Sequence, residues 1–137
     1  MDCIFCKIVA GKILSRKIIE SEKSIAFLDA FPLTKGHTLV IPKKHYKQIQ
    51  EMNKEDNVDL FETVRILSAR IACLAPSSLI AIHNGKESGQ EIPHVHVHII
   101  PRFSNDGAGP VHSMFNKRPK LAESEFEDIV EKLREAI

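Results

Sequence analysis

The spacing of apolar residues changes period several times along the chain, and each change marks an element. Ile4, Phe5, Ile8 and Val9 recur at helical spacing and stop before Gly11, which predicts one or two helical turns. Residues 17–20 and 24–29 read as two short strands around the turn Ser21-Glu22-Lys23, with Pro32 closing the second. Residues 36–42 form a third strand that carries a polar His37 at its mouth. Asn53-Lys54-Glu55-Asp56 has the character of an N-cap followed by an acidic first turn. Phe61, Val64, Leu67, Ile71 and Leu74 then recur as one apolar stripe. This predicts one long helix of about 20 residues, closed before Pro76, with its stripe in the core. Cys73 falls among Ile71, Ala72 and Leu74 and reads as an inert core residue of that helix. Residues 79–84 are a fourth strand and 85–91 a polar loop. Residues 94–102 form a fifth strand, 103–120 are irregular, and 123–136 close the chain as a helix with Phe126, Ile129, Val130 and Leu133 on one side. There is no internal repeat or linker. Short connections between neighbouring strands favour a single α+β domain over residues 1–137. It would hold a mainly antiparallel sheet of about five strands, one long helix and a C-terminal helix.

Composition narrows the class. The 137 residues are 43% hydrophobic, in keeping with one globular core. Nineteen basic against eighteen acidic side chains leave no electrostatic footprint for nucleic acid, so any anionic ligand needs a local site. The start of the chain lacks the charged and apolar regions of a signal peptide, and no apolar run reaches the 18 or so residues of a membrane span. Three cysteines are an odd count for a disulfide framework. The expectation is a cytoplasmic protein, with the nucleus also open to it, and no membrane partner.

The chemistry concentrates in His94-Val95-His96-Val97-His98-Ile99-Ile100-Pro101-Arg102. A strand turns alternate side chains to opposite faces, so the three imidazoles share one face while Val95, Val97 and Ile99 pack the other. Three titratable rings in alternation point to chemistry near neutral pH, or to a metal, since strand histidines at this spacing are reasonable ligands. The preceding loop, Asn84-Gly85-Lys86-Glu87-Ser88-Gly89-Gln90, offers glycines through which backbone N–H groups approach an anion, an amide and a positive charge. A nucleophilic histidine, a donor histidine and such a loop are what phosphoryl or nucleotidyl transfer requires. Cys3 and Cys6 form a C-x-x-C knuckle, half of a zinc site or a redox pair. A redox pair wants a βαβ setting and a helix N-terminus, neither evident here, whereas zinc wants two further ligands.

The run His94 to Ile100 resembles the signature of the histidine triad (HIT) family. Cys3-Ile4-Phe5-Cys6-Lys7-Ile8, Ala26-Phe27-Leu28-Asp29, the blocks from Lys35 to Lys43, Gly89-Gln90 and Pro101-Arg102 are similar to further family blocks in the same order. The likeness spans nearly the whole chain and is greatest to the small nucleoside-phosphoramidase-like branch. It implies a purine nucleotidyl hydrolase that needs no metal for catalysis. His96 would attack the α-phosphorus and carry the nucleotidyl group until water displaces it. His98 would donate to a phosphoryl oxygen or the leaving group, with His37 and His94 supporting the array. Ile4, Phe5, Ile8 and Phe27 would wall the purine, Asp29 would accept from the ribose hydroxyls, and Asn84, Gly89 and Gln90 would meet the phosphate. A structural zinc on Cys3, Cys6, His45 and His94, and a homodimer, are further implications. Two departures bear on substrate. Glu91 stands where many members carry Ser, and Ala30 where many carry a larger aliphatic residue. Other readings of the same constellation are a dinucleoside polyphosphate hydrolase and a non-catalytic nucleotide sensor or scaffold.

Overall fold

The computed structural model describes residues 2–136, which fall in two compact units divided between Asp106 and Gly107. The first unit holds helix α1 (Ile4–Val9), strands β1 (Lys17–Glu20), β2 (Ser24–Leu28) and β3 (Thr38–Pro42), helix α2 (Lys54–Ile71), and strands β4 (Ser77–Ala81) and β5 (Val97–Arg102). The strands make one five-stranded sheet in the order β1-β2-β3-β5-β4, and every pairing is antiparallel. This is the α+β architecture expected from the sequence. The second unit consists of an irregular stretch and helix α3 (Glu123–Glu135), whose Phe126, Ile129, Val130 and Leu133 are exposed.

The middle of the sheet is covered on both faces, which explains why residues 24–27 and 38–42 are buried without interruption. On one face Ala26, Val40, Val95, Val97 and Ile99 pack against Leu60, Val64, Leu67 and Ile71 of α2. On the other, Ile25, Phe27, Leu39 and Ile41 pack against Cys3 and Phe5. Register then assigns the histidines to a face. His98 pairs across the ladder with Leu39 on one side and Ala81 on the other, so it emerges on the face that α1 covers.

Several expectations shift. The fifth strand enters the ladder only at Val97, so His94 lies in a bend and His96 in irregular chain ahead of it. The third starts at Thr38 rather than residue 36, because Gly36 takes a left-handed φ of 97°. The fourth spans Ser77–Ala81 and leaves residues 82–84 outside. Helix α2 ends at Ile71, five residues before Pro76, so Cys73 and Leu74 sit in an exposed turn and not in the core. Leu60 takes the buried position at the front of the stripe, and Phe61, one residue on, is turned 100° away and exposed. Cys3 is the N-cap of α1 and its Sγ accepts from the Cys6 N–H, so the knuckle does stand at a helix start.

Candidate active site

A cavity of about 530 Å³ opens on the α1 side of the sheet. Ile4, Phe5, Ile8, Phe27 and Leu39 form its apolar wall, and Asp29, His37, His83, Gly89, Glu91, His96 and His98 its polar one. Phe5 is central. Its ring meets Phe27 edge-on at 5.8 Å, His94 at 5.7 Å and His96 at 5.1 Å between centroids. A planar apolar ligand entering here would contact Phe27 and Phe5 beside the imidazoles.

The hydrogen bonds settle which ring nitrogens carry protons. Among the described residues the partner of His96 Nδ1 is the carbonyl of His94, 2.8 Å away, and a carbonyl only accepts. His96 Nδ1 therefore bears the hydrogen, and Nε2 keeps its lone pair. A second chain of bonds starts from backbone. The Leu33 N–H donates to His37 Nδ1 at 3.1 Å, so neutral His37 carries its hydrogen on Nε2. That Nε2–H donates to His98 Nδ1 at 2.9 Å, which places the His98 hydrogen on Nε2. His98 Nε2 is buried and has no hydrogen-bond partner among the described residues. The result is a lone pair on His96 and an N–H on His98, from rings whose centroids are 5.1 Å apart. Asp29 lies beside this chain, with Oδ2 3.6 Å from His37 Nε2 and Oδ1 accepting from the Phe31 N–H.

Electrostatics keep the array uncharged. Burial pushes the His98 pKa down to about 4, aided by the charges of His96, His37 and His83. Burial also lowers His96, partly offset by its bond to the His94 carbonyl, and lowers His37 against the pull of Asp29. A neutral His96 with a free Nε2 is a nucleophile at pH 7, and a neutral His98 is a hydrogen-bond donor that does not have to be charged.

His94 faces elsewhere. Its Nε2–H donates to the Pro42 carbonyl at 2.9 Å, which leaves Nδ1 as a lone pair. Nδ1 lies 3.5 Å from Cys3 Sγ, 3.6 Å from Cys6 Sγ and 3.1 Å from His45 Nδ1, and Cys6 Sγ is 3.3 Å from His45 Nδ1. A tetrahedral zinc with bonds of about 2.0–2.3 Å sets its donors about 3.3–3.8 Å apart, so these four donors fit such an ion closely. The cluster can hold a metal. Burial, and then Cys3, push the Cys6 thiol up. A divalent cation is the partner that would make a thiolate favourable there.

Two expected phosphate contacts lie elsewhere. Asn84 Oδ1 accepts from the Ile49 N–H and its amide donates to Gln50, tying the loop to residues 49–50. Gln90 Oε1 accepts from the Gly85 N–H while its amide donates to the carbonyls of Lys47 and Ile92. Both shape the loop, and neither lines the cavity; Gly89, at φ 108°, does. Sequence reading passed over His83, which lies in the cavity with its ring 5.5 Å from that of His98. Ala81 pairs with His98, and a two-residue step along the chain keeps His83 on the same face.

The model of the HIT domain matches residues 10–105. Over 136 residues the chain is 36% identical to adenosine 5'-monophosphoramidase hnt1 of Schizosaccharomyces pombe, covering 98% of this chain and all of that one. It is 37% identical to adenylylsulfatase HINT3 of Arabidopsis thaliana over 107 residues, 77% of this chain and 54% of that one. Among solved structures, a member of the HIT family from Bacillus subtilis superposes with a TM-score of 0.89 at 34% identity, over 100% of this chain and 98% of that one. With the triad, its supporting histidine and the fold in agreement, the chain belongs to the HIT-domain family.

Proposed function

We propose that the protein is a purine nucleotidyl hydrolase that cleaves nucleoside phosphoramidates or related adenylylated compounds through a covalent nucleotidyl-histidine intermediate. The observation that carries this reading is the tautomer pattern: a free Nε2 lone pair on His96 beside a buried, unpartnered Nε2–H on His98. His96 Nε2 attacks the α-phosphorus, and the bond to the leaving group breaks. His98 Nε2–H meets a phosphoryl oxygen, where a fixed donor stabilises the charge that builds on attack. Water then displaces the nucleotidyl group from His96, and the nucleoside monophosphate leaves. The wall of Ile4, Phe5, Ile8 and Phe27 suits a purine, and Asp29 at the same end suits the ribose hydroxyls. The phosphoramidase and adenylylsulfatase named among the relatives support this substrate class.

Cys3, Cys6, His45 and His94 would hold a structural zinc, which supplies a cross-link and takes no part in bond breaking. With His94 so engaged, the catalytic pair is His96 and His98. We place the protein in the cytoplasm as a homodimer that binds no nucleic acid or membrane; no helix among the described residues is long and apolar enough to cross one. The test is a single-turnover reaction with an adenosine phosphoramidate, quenched and read by intact mass, for the wild type and His96→Ala. A nucleotidyl-mass adduct on the wild type and none on the variant is the expected result. Tight nucleotide binding with no turnover and no adduct would replace the hydrolase with a nucleotide sensor.

A further inference from the structure

The site holds one imidazole that the reaction above does not use. His83 follows β4, lines the cavity, and packs its ring edge-on to His98 at 5.5 Å. Its Cδ2 lies 3.4 Å from where a Cβ on Gly89 would stand, an ordinary van der Waals distance, so the ring packs against the loop at Gly89. The other imidazoles of the cavity are committed. His96 has Nδ1 on a carbonyl, His37 uses both nitrogens, and His98 uses Nδ1 with Nε2 buried. His83 is half-buried, and among the described residues neither of its ring nitrogens has a protein partner. The titratable and charged groups facing the same space are His96 and His98 from the triad segment, His37 and Asp29 at the mouth of β3 and end of β2, Glu91 from the loop, and Arg16 ahead of β1.

The proposed reaction leaves a proton unaccounted for. An alkylamine expelled from phosphorus departs as an anion unless a proton reaches its nitrogen as the P–N bond breaks. His98 is a poor source, because it is held neutral and its Nε2–H is a weak acid. We propose that His83 is the proton donor to the leaving group and the acceptor of the water proton in the second step. This rests on the nucleotidyl hydrolase reading above. In the first step the His96 Nε2 pair forms the N–P bond and the P–N bond pair passes to the leaving nitrogen. The His83 proton joins that nitrogen, so a neutral amine leaves and His83 is neutral. In the second step a water oxygen bonds to phosphorus, His83 takes its proton, and the pair of the P–N(His96) bond returns to Nε2. One water is consumed, and amine and nucleoside monophosphate are released. His83 regains its starting charge without any external acid.

The test compares two substrates on the full chain. Adenosine 5'-(N-butyl)phosphoramidate expels an amine that needs a proton, and the 4-nitrophenyl ester of AMP expels a phenolate that does not. His83→Gln is expected to lose roughly 10²-fold or more of kcat on the phosphoramidate, with a much smaller change on the first step of the ester. Added imidazole should restore part of the rate of His83→Ala. Equal losses in the first-step rate on both substrates, no loss on either, or the same selective loss in Glu91→Gln in place of His83→Gln would each overturn the proposal while leaving the hydrolase reading standing. A wild type that turns over neither substrate would overturn both. Circular dichroism of each variant separates these outcomes from misfolding.

Discussion

Replacing His98 with glutamine tests the histidine relay and the cost of burying it in one measurement. In the wild type, burial first and neighbouring imidazole charges second push the pKa of His98 from 6.5 to about 4. A proton then binds the unfolded chain more tightly than the native one. The stabilisation is fully present above about pH 6.5, drains as the pH falls, and is lost once the pH passes below about 4. At about 1.4 kcal/mol per pH unit the whole gap is worth about 3 kcal/mol, of which about 2 kcal/mol is gone by pH 5. Against a total stability of about 5–15 kcal/mol for a domain, that is a large fraction from one ring. Glutamine offers an oxygen to the His37 Nε2–H and an amide on its other side, and it does not titrate. Urea unfolding followed by far-UV circular dichroism, at pH 7 and pH 5, gives the comparison for both proteins. The wild type should lose about 2 kcal/mol more than His98→Gln between the two pH values. The other buried histidines and the carboxylates are common to both and largely cancel. Losses equal to within about 0.5 kcal/mol would refute the reasoning, since His98 would then hold no depressed pKa in solution.

Three other perturbations are equally direct. Tyr46→Phe removes the hydroxyl that donates to buried Asp56 at 2.5 Å, and should destabilise the protein by about 1.5–3 kcal/mol in urea titrations at pH 7. Leu60→Ala opens a cavity at a position with no solvent exposure between α2 and the sheet; a loss of about 2–5 kcal/mol is expected from the same titration. Dialysis against a strong chelator should release about one zinc per chain by elemental analysis and lower Tm by about 5 °C or more, and Cys6→Ser should reduce the zinc recovered.

Most of the fold was legible because periodicity and punctuation agree along the chain. The hairpin at Ser21-Glu22-Lys23, the cap at Asn53 and the apolar stripe of α2 each follow from local chemistry, and each is found. What was less legible depends on contacts between distant segments. Cys73 and Leu74 continue the helical pattern, yet the helix has already ended, and nothing local marks Ile71 as its last residue. Asn84 and Gln90 look like phosphate ligands in a glycine-bearing loop. Their partners, at residues 47, 49, 50, 85 and 92, come largely from segments far off in the chain. His83 was hidden for the opposite reason. A single histidine at the end of a strand carries no motif, and only the pairing of β4 with β5 puts it beside the triad.

The register also assigns the first histidine of the triad a part that alternation alone would not. Three rings on one face read as three equivalent chemical groups, but the backbone and side chain of His94 serve different neighbours. Its side chain is fixed at both nitrogens, by the Pro42 carbonyl and by the Cys3, Cys6 and His45 cluster. Its carbonyl is the acceptor that sets the His96 tautomer and so leaves the Nε2 lone pair free. Phe5, one helical turn inside the same cluster, rests on His94 and His96 together. Rigidity supplied at the cysteine corner therefore reaches His96 by two short routes, one through a main-chain carbonyl and one through an aromatic ring. A loosened cluster should blur the orientation of His96 before it unfolds the sheet, because Ile25, Phe27, Leu39 and Ile41 pack around Phe5 while the opposite face of β5 is held by α2.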